Sequence, residues 1–110
     1  MLELGQLIAG PFCGFMLAGF GAEVIKVEPP GTGDPIRRWR KVVDGTSLWW
    51  RSLARDKRSI TCDLRKAEGR DLVRRLVRSG IDVVIENFRP GRMEAWGLGY
   101  EALAAENPRV

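Results

Sequence analysis

GAEVIKVEPPGTGDP, residues Gly21 to Pro35, decides the fold. The β-branched residues Val24, Ile25 and Val27 make Ala22–Glu28 an apolar strand of the kind buried in a parallel sheet, with Lys26 and Glu28 towards its end. Pro29-Pro30-Gly31-Thr32-Gly33-Asp34-Pro35 then supports neither helix nor central strand and reads as an exposed turn. A buried strand that ends in charge and a turn is where doubly wound sheets place their ligands. Glu28 is there either a partner for a ribose hydroxyl or a solvated strand-end charge.

Towards the amino end, Leu2–Leu4 reads as the tail of a strand whose apolar run starts at the first residue, with no lead-in. Gly10 permits a tight turn and Pro11 suits the first helical position, where its missing N–H costs nothing. Phe12, Phe15, Met16 and Phe20 form an apolar stripe on that helix, which Gly19 and Gly21 end. The helix start offers free N–H groups to a phosphate or carboxylate, or is a structural turn and nothing more. The G-x-G-x-x-G dinucleotide fingerprint is absent.

Towards the carboxyl end, Arg37 to Arg55 interleaves bases with Trp39, Trp49 and Trp50. Such a stretch stacks nucleic-acid bases beside phosphate-binding side chains, or is a long surface connection pinned to the core by its indoles with arginines snorkelling. Between Arg37 and Arg58, eight bases (Arg37, Arg38, Arg40, Lys41, Arg51, Arg55, Lys57, Arg58) face Asp44 and Asp56. This excess of six in a chain of net charge +4 leaves the remainder slightly acidic and suits an anionic partner. Ser59–Leu64 follows as a short strand with Asp63 near its end, and Lys57 and Arg58 before it are candidate phosphate contacts.

Lys66–Arg78 is an amphipathic helix with Leu72, Val73, Leu76 and Val77 inward and Arg70, Arg74, Arg75 and Arg78 in solvent, stopped by Ser79-Gly80. Ile81–Ile85 is a buried strand, and the turn Glu86–Gly91 after it is a second candidate site. Asn87 there donates and accepts, Phe88 stacks on a base and Arg89 meets a phosphate. Short helices at Arg92–Trp96 and Tyr100–Ala105 precede a further strand expected to begin near Asn107. Strands alternating with helices argue for an α/β layered fold with a largely parallel sheet.

Composition narrows the chemistry. A chain of 110 residues, 45% hydrophobic, suits one small domain. No stretch approaches the roughly 20 apolar residues of a membrane span, and Glu3 without a basic run before it argues against a signal peptide. With no histidine, a zinc site or a histidine triad is excluded and no metal is expected. Cys13 and Cys62 stand 49 positions apart outside any CxxC, which reads as buried free thiols in the cytoplasm.

LIAGPF, GAEVIKVEPPGTGDP, DKRSITCDL, EGRDL, VVIENFRPG and GLGYEAL, in this order and spacing, resemble the amino-terminal segment of the family III CoA-transferases, the CaiB/BaiF type. The resemblance covers essentially the whole chain. It implies a Rossmann-like coenzyme A-binding segment, flanked by helices, within a larger fold whose two subunits interlock as a homodimer. It also implies that the family's CoA contacts fall on Ile8 and Ala9, on Pro29, on Cys62, Asp63, Leu64 and Arg65, and on Asn87, Phe88 and Arg89.

Three positions depart from the formyl-CoA transferase pattern. Ile8 stands where those enzymes have glutamine, Pro29 where they have a base, and Ala95 where the family has an arginine. The implied reaction moves CoA from an acyl-CoA thioester to a carboxylate acceptor through an aspartyl mixed anhydride. Its aspartate is expected beyond residue 110, so the catalytic set contains no residue of this chain, which would be the first quarter of an enzyme of roughly 400 residues. Asp34 is read instead as a turn residue and Asp63 as a strand-end or capping acid. RRWRKVVDGTSLWW is closer to the dicarboxylate-type transferases that use succinyl-CoA. The alternatives are an acyl-CoA racemase of the same family and, from another class, a basic nucleic-acid-binding module. The leading reading has acyl-CoA and a carboxylic acid as partners, and neither nucleic acid nor membrane.

Overall fold

A computed structural model describes all 110 residues, Met1–Val110. The strands are β1 (Leu2–Glu3), β2 (Val24–Glu28), β3 (Val42–Val43), β4 (Thr46–Ser47), β5 (Lys57–Thr61) and β6 (Val84–Ile85). The helices are α1 (Ala9–Gly19), α2 (Leu48–Leu53), α3 (Ala67–Arg78), α4 (Arg92–Ala95) and α5 (Tyr100–Glu106), with a 3-10 turn at Pro35–Arg38. Four strands form one sheet in the order β5-β2-β1-β6, every neighbouring pair parallel, while β3 and β4 make a separate antiparallel hairpin. The α/β class with a parallel sheet flanked by helices is therefore the observed one. From β1 the chain works outward through β2 to β5 and then returns to the other side of β1 as β6. That reversal creates a topological switch point, and the crevice for a ligand opens at the carboxyl ends of the strands there.

Because side chains alternate across a strand, the two sheet faces differ. One carries Leu2, Leu4, Val27 and Cys62, which join Val73, Val77, Ile81, Met93, Leu98 and Leu103 from the α3–α5 side in the hydrophobic core. Val73 and Val77 are 0% exposed, as the helical periodicity predicts, and each such side chain contributes roughly 1.5–3 kcal/mol. The other face carries Glu3, Lys26 and Glu28, all buried, with Lys57 beside them and α1 above.

That polar layer explains why α1 departs from its predicted orientation. Its buried residues are the small ones, Gly10, Pro11, Gly14 and Ala18. The stripe of large apolar residues faces outward, with Phe12 49%, Met16 43% and Phe20 85% exposed. A Cβ at Gly14 would stand 3.0 Å from Glu3 Cδ and 3.2 Å from Lys57 Nζ, so the helix sits too close to the charges for a larger residue. The helix also starts at Ala9, which puts Pro11 at its third position, where the backbone N–H has no intrahelical acceptor in any case. Cys13 lies on the exposed side, contrary to the expectation of two buried thiols; Cys62 is buried.

Other boundaries shift for local reasons. The connection Arg37–Arg55 contains the β3–β4 hairpin, whose turn residues Asp44 (φ 49°) and Gly45 (φ 73°) are both left-handed, the conformation a two-residue hairpin loop demands. It also contains α2, capped by Ser47 Oγ, which accepts from the Trp49 N–H at 3.1 Å. The strand placed at Ser59–Leu64 instead spans Lys57–Thr61, and that placed at Ile81–Ile85 shortens to Val84–Ile85. No strand begins at Asn107. Its buried amide donates to the carbonyls of Val77 (3.3 Å) and Ile81 (2.8 Å), folding the chain end back under α3. Arg74 and Arg78, placed in free solvent by the sequence, pair with Asp71 and Glu106. No helix is long and apolar enough to cross a membrane.

Candidate functional site

A cleft of about 480 Å³ opens at the carboxyl ends of the sheet strands, within the range of small-molecule sites. Leu4 and Val27 line its base, Gln6 enters after β1, and Glu28, Pro29, Pro30 and Thr32 come from the turn after β2. Cys62, Asp63, Leu64 and Arg65 follow β5, and Phe88, Arg92 and Trp96 close the side beyond β6. Phe88 and Trp96 pack edge to face with centroids 5.2 Å apart, which makes one wall a rigid aromatic surface.

The loop after β1 is held from three directions. The Gln6 N–H donates to Asn87 Oδ1 at 2.8 Å, and Asn87 Nδ2 donates to the Gln6 carbonyl at 2.9 Å. Leu7 is left-handed (φ 63°), a costly conformation for a branched side chain, and its N–H donates to Asp34 Oδ1 at 3.0 Å. Lys26 Nζ donates to the Gly5 carbonyl at 3.1 Å. A Cβ on Gly5 would lie 2.7 Å from Asn87 Oδ1 and 2.9 Å from Gly10 Cα, so a glycine is required for this closure.

Beneath the loop lies an ionic layer. Lys26 Nζ stands 2.9 Å from Glu3 Oε1 and 2.7 Å from Asp34 Oδ2, and Lys57 Nζ stands 2.7 Å from Glu3 Oε2, with none of the four side chains more than 2% exposed. Two carboxylates face two ammonium groups, so the layer balances its own charge. Burial pushes the Lys57 ammonium below its ordinary pKa, and its bond to Glu3 offsets part of that. Lys57 is therefore no phosphate contact, contrary to the sequence expectation. Arg58 is not one either, since it pairs with Glu23 at 2.8 Å, at the opposite end of the sheet.

Glu28 is neither a ribose partner nor a solvated charge. Its carboxylate accepts from Arg37 Nε at 2.6 Å and Nη2 at 2.8 Å, from Ser59 Oγ, and from the Asp34 N–H at 2.9 Å. Burial alone would raise its pKa, but hydrogen bonds from Arg37, Ser59 and the Asp34 backbone hold it at about 2. Asp34 is likewise buried, not part of an exposed turn. Besides its bond to Leu7 it caps the 3-10 turn through the Ile36 N–H at 2.9 Å. Arg37 also lies 3.6 Å above the centre of the Trp50 ring. Arg40 covers Trp39 at 4.7 Å, and Trp39 packs against Trp49. Within the connection arginines thus cover Trp50 and Trp39, while Trp49 is 42% exposed and none of the three joins the hydrophobic core.

The mouth of the cleft carries a further pair. Arg65 clamps Asp63 with Nε at 2.8 Å and Nη2 at 2.9 Å, and its own N–H reaches Oδ1 at 3.1 Å. These bonds hold the Asp63 carboxyl at about 2. The Cys62 thiol donates to the Gly69 carbonyl at 3.2 Å, and burial, with the Asp63 charge, pushes it up, away from the thiolate.

Of the residues the sequence nominated, Pro29, Cys62, Asp63, Leu64, Arg65 and Phe88 come together in the cleft lining. Ile8, Ala9, Asn87 and Arg89 do not line it. Ile8 precedes α1 without a side-chain capping bond, and Ala9 is the exposed first residue of that helix. Asn87 is spent on Gln6, and Arg89 is exposed, its carbonyl accepting the Arg92 N–H at 3.0 Å. Gln6, Thr32, Arg92 and Trp96 are lining residues that the sequence reading did not nominate. The i, i+4 spacing of Arg92 and Trp96 was a usable signal, since such residues share a helix face. Nothing in the sequence marks Gln6.

Comparison with known proteins places this geometry. The profile of CoA-transferase family III matches residues 1–110. Succinyl-CoA–D-citramalate CoA-transferase of Chloroflexus aurantiacus is 63% identical over 109 residues, covering 98% of this chain and 27% of that protein. Succinate–glutarate CoA-transferase of Agrobacterium fabrum is 46% identical over 117 residues, covering 100% of this chain and 29% of that protein. Among solved structures, a CaiB/BaiF family protein from Brucella suis superposes with a TM-score of 0.86 at 48% identity, over 96% of this chain and 29% of that one. The chain thus spans between a quarter and a third of the length of these relatives. With a matching sheet, a matching sequence over its whole length and a cleft where the switch point requires one, the chain belongs to CoA-transferase family III.

Proposed function

We propose that the cleft binds coenzyme A or an acyl-CoA, and that the chain supplies the CoA-binding part of a transferase that moves CoA from an acyl-CoA thioester to a carboxylic acid. The observation that carries this reading is the position of the cleft at the strand ends of the switch point, lined by six of the ten residues to which the family resemblance assigns CoA contacts. Relatives named for succinyl-CoA, citramalate, succinate and glutarate support a dicarboxylic acyl group. The two free thiols suit a cytoplasmic enzyme, and the outward apolar face of α1 suits a homodimer.

In the reaction we assign to it, a carboxylate oxygen attacks the thioester carbonyl carbon. The C–S bond breaks, CoA leaves as thiolate, and a mixed anhydride forms. The acids along the sheet ends are unsuited to that attack. Asp34 is ion-paired with Lys26, Glu28 is closed off by Arg37, and Asp63 is clamped by Arg65. As the family resemblance implies, we place the nucleophilic aspartate beyond residue 110. What these residues contribute is a shaped cleft and a fixed loop that orient the ligand.

Titration calorimetry of the protein with CoA and succinyl-CoA tests the reading, and saturable one-to-one binding is expected. Absence of saturable binding to either, together with no CoA transfer from succinyl-CoA to a dicarboxylate by a chain extended to the length of its relatives, overturns it.

A further inference from the structure

Charge in the cleft balances pair by pair, with one exception. Glu28 is matched by Arg37, and Asp63 by Arg65. The remaining charged residue of the lining, Arg92, forms none of the ten ion pairs of the structure.

Arg92 is also held in place. It opens α4, which is anchored by the buried Met93, and its backbone N–H is bonded to the Arg89 carbonyl. Its guanidinium lies 5.5 Å from the centre of the Trp96 ring, and Trp96 is itself packed on Phe88. A guanidinium resting on a ring face keeps its in-plane N–H donors free for a planar or tetrahedral oxyanion. Lys57 and Arg58, the bases that the sequence offered for this purpose, are consumed elsewhere. A phosphate entering the cleft thus meets one cation, carried on an anchored backbone, that forms no ion pair.

We propose that Arg92 is the phosphate-binding residue of the cleft, gripping a phosphate of the bound CoA by charge-assisted hydrogen bonds from its guanidinium edge. This inference rests on the reading of the cleft as a CoA site. Arg92 acts here as a binding residue and takes no part in bond making.

Calorimetric Kd values for CoA, measured on wild type, Arg92→Gln, Arg92→Lys and the control Arg75→Gln, test it. Arg75 is exposed on α3, outside the cleft lining, and its loss changes the net charge by the same amount. Loss of hydrogen bonds to a charged group corresponds to a Kd rise of about 10- to 100-fold for Arg92→Gln. Arg92→Lys should recover part of that loss through its charge, and Arg75→Gln should bind as wild type does. Arg92 is exposed, so its variants retain the fold, which circular dichroism checks. CoA binding by Arg92→Gln at wild-type strength overturns the assignment while leaving the cleft reading intact. So does a failure of Arg92→Lys to recover anything, or an equal loss in Arg75→Gln, since either shows that a local charge on Arg92 is not the determinant. Wild type that binds no CoA overturns the cleft reading, and the role of Arg92 with it.

Discussion

Replacing Gly14 by alanine adds one methyl group to the face of α1 that lies on the ionic layer. An ideal Cβ there falls inside contact distance of Glu3 Oε2 and 3.2 Å from Lys57 Nζ. The Glu3 carboxylate is 0% exposed and pinned between two lysines, so it cannot swing aside as a surface glutamate would. If it is displaced, a buried ammonium loses its partner, at a cost of about 3–5 kcal/mol. Alanine returns about 1 kcal/mol through its better helix propensity, which leaves a net loss of about 2–4 kcal/mol. Gly19 on the same helix is the internal control. A Cβ there meets nothing within 4 Å, so Gly19→Ala should leave stability unchanged or raise it by up to about 1 kcal/mol. Urea denaturation followed by tryptophan fluorescence measures both. With a slope of about 1.5 kcal/mol per molar, the Gly14→Ala midpoint should fall by roughly 1–3 M. A Gly14→Ala midpoint at or above wild type would refute the placement of α1 directly on the charges.

Three further outcomes follow from the structure. Glu28 has a folded pKa of about 2, below its ordinary 4.5, so its contribution to stability is in full above about pH 4.5 and is lost as pH falls towards 2. Acid denaturation of Glu28→Gln should show a shallower fall across that window, and an unchanged profile contradicts the assignment. Cys13 is exposed and Cys62 is buried with its pKa raised, so a thiol reagent on native protein should modify one sulfur quickly and the second only on unfolding. Peptide mass spectrometry identifies which. Phe20 is 85% exposed on the single chain, so at concentrations where the protein is monomeric Phe20→Ser should change stability by no more than about 0.5 kcal/mol in the same denaturation assay, whereas a core role for the aromatic stripe predicts a loss of several.

Periodicity reports burial, and it made the apolar half of the molecule legible. α3 was readable because Val73 and Val77 recur at helical spacing against a core, and β2 because its β-branched Val24, Ile25 and Val27 suit a strand covered on both faces. The α1 stripe misled for the same reason. Its large residues recur at helical spacing, but the opposite face is selected for smallness by the charges below it, and Gly14 carries no hydropathy signal. The buried lysines were illegible because Lys26 and Lys57 look like ordinary strand bases until the sheet brings Glu3 to both and the turn after β2 folds Asp34 back onto Lys26. Asp44-Gly45 was a readable hairpin signal masked by the surrounding tryptophans. In the site, Phe88 was legible from its place after a strand, whereas Pro29 and Cys62 to Arg65 came from the family resemblance. Arg92 and Trp96 were missed because a short helix after the last strand folds back over the cleft.

The ionic layer also limits how this sequence can drift. On the core side of the sheet, one aliphatic residue can be exchanged for another of similar volume, and a single step is tolerated. On the α1 side, Glu3, Lys26, Asp34 and Lys57 form a closed electroneutral set in which any single neutralising change strands a charge away from water. Change there must come as compensated exchanges, an acid and its base together. Because Asp34 and Lys26 also hold Leu7 and Gly5, even a balanced exchange of that pair for apolar residues would release the cleft loop. Of the two ion pairings that involve Glu3, the one with Lys57 is therefore the more replaceable, since Lys57 holds the Pro11 carbonyl of α1 and not the loop after β1.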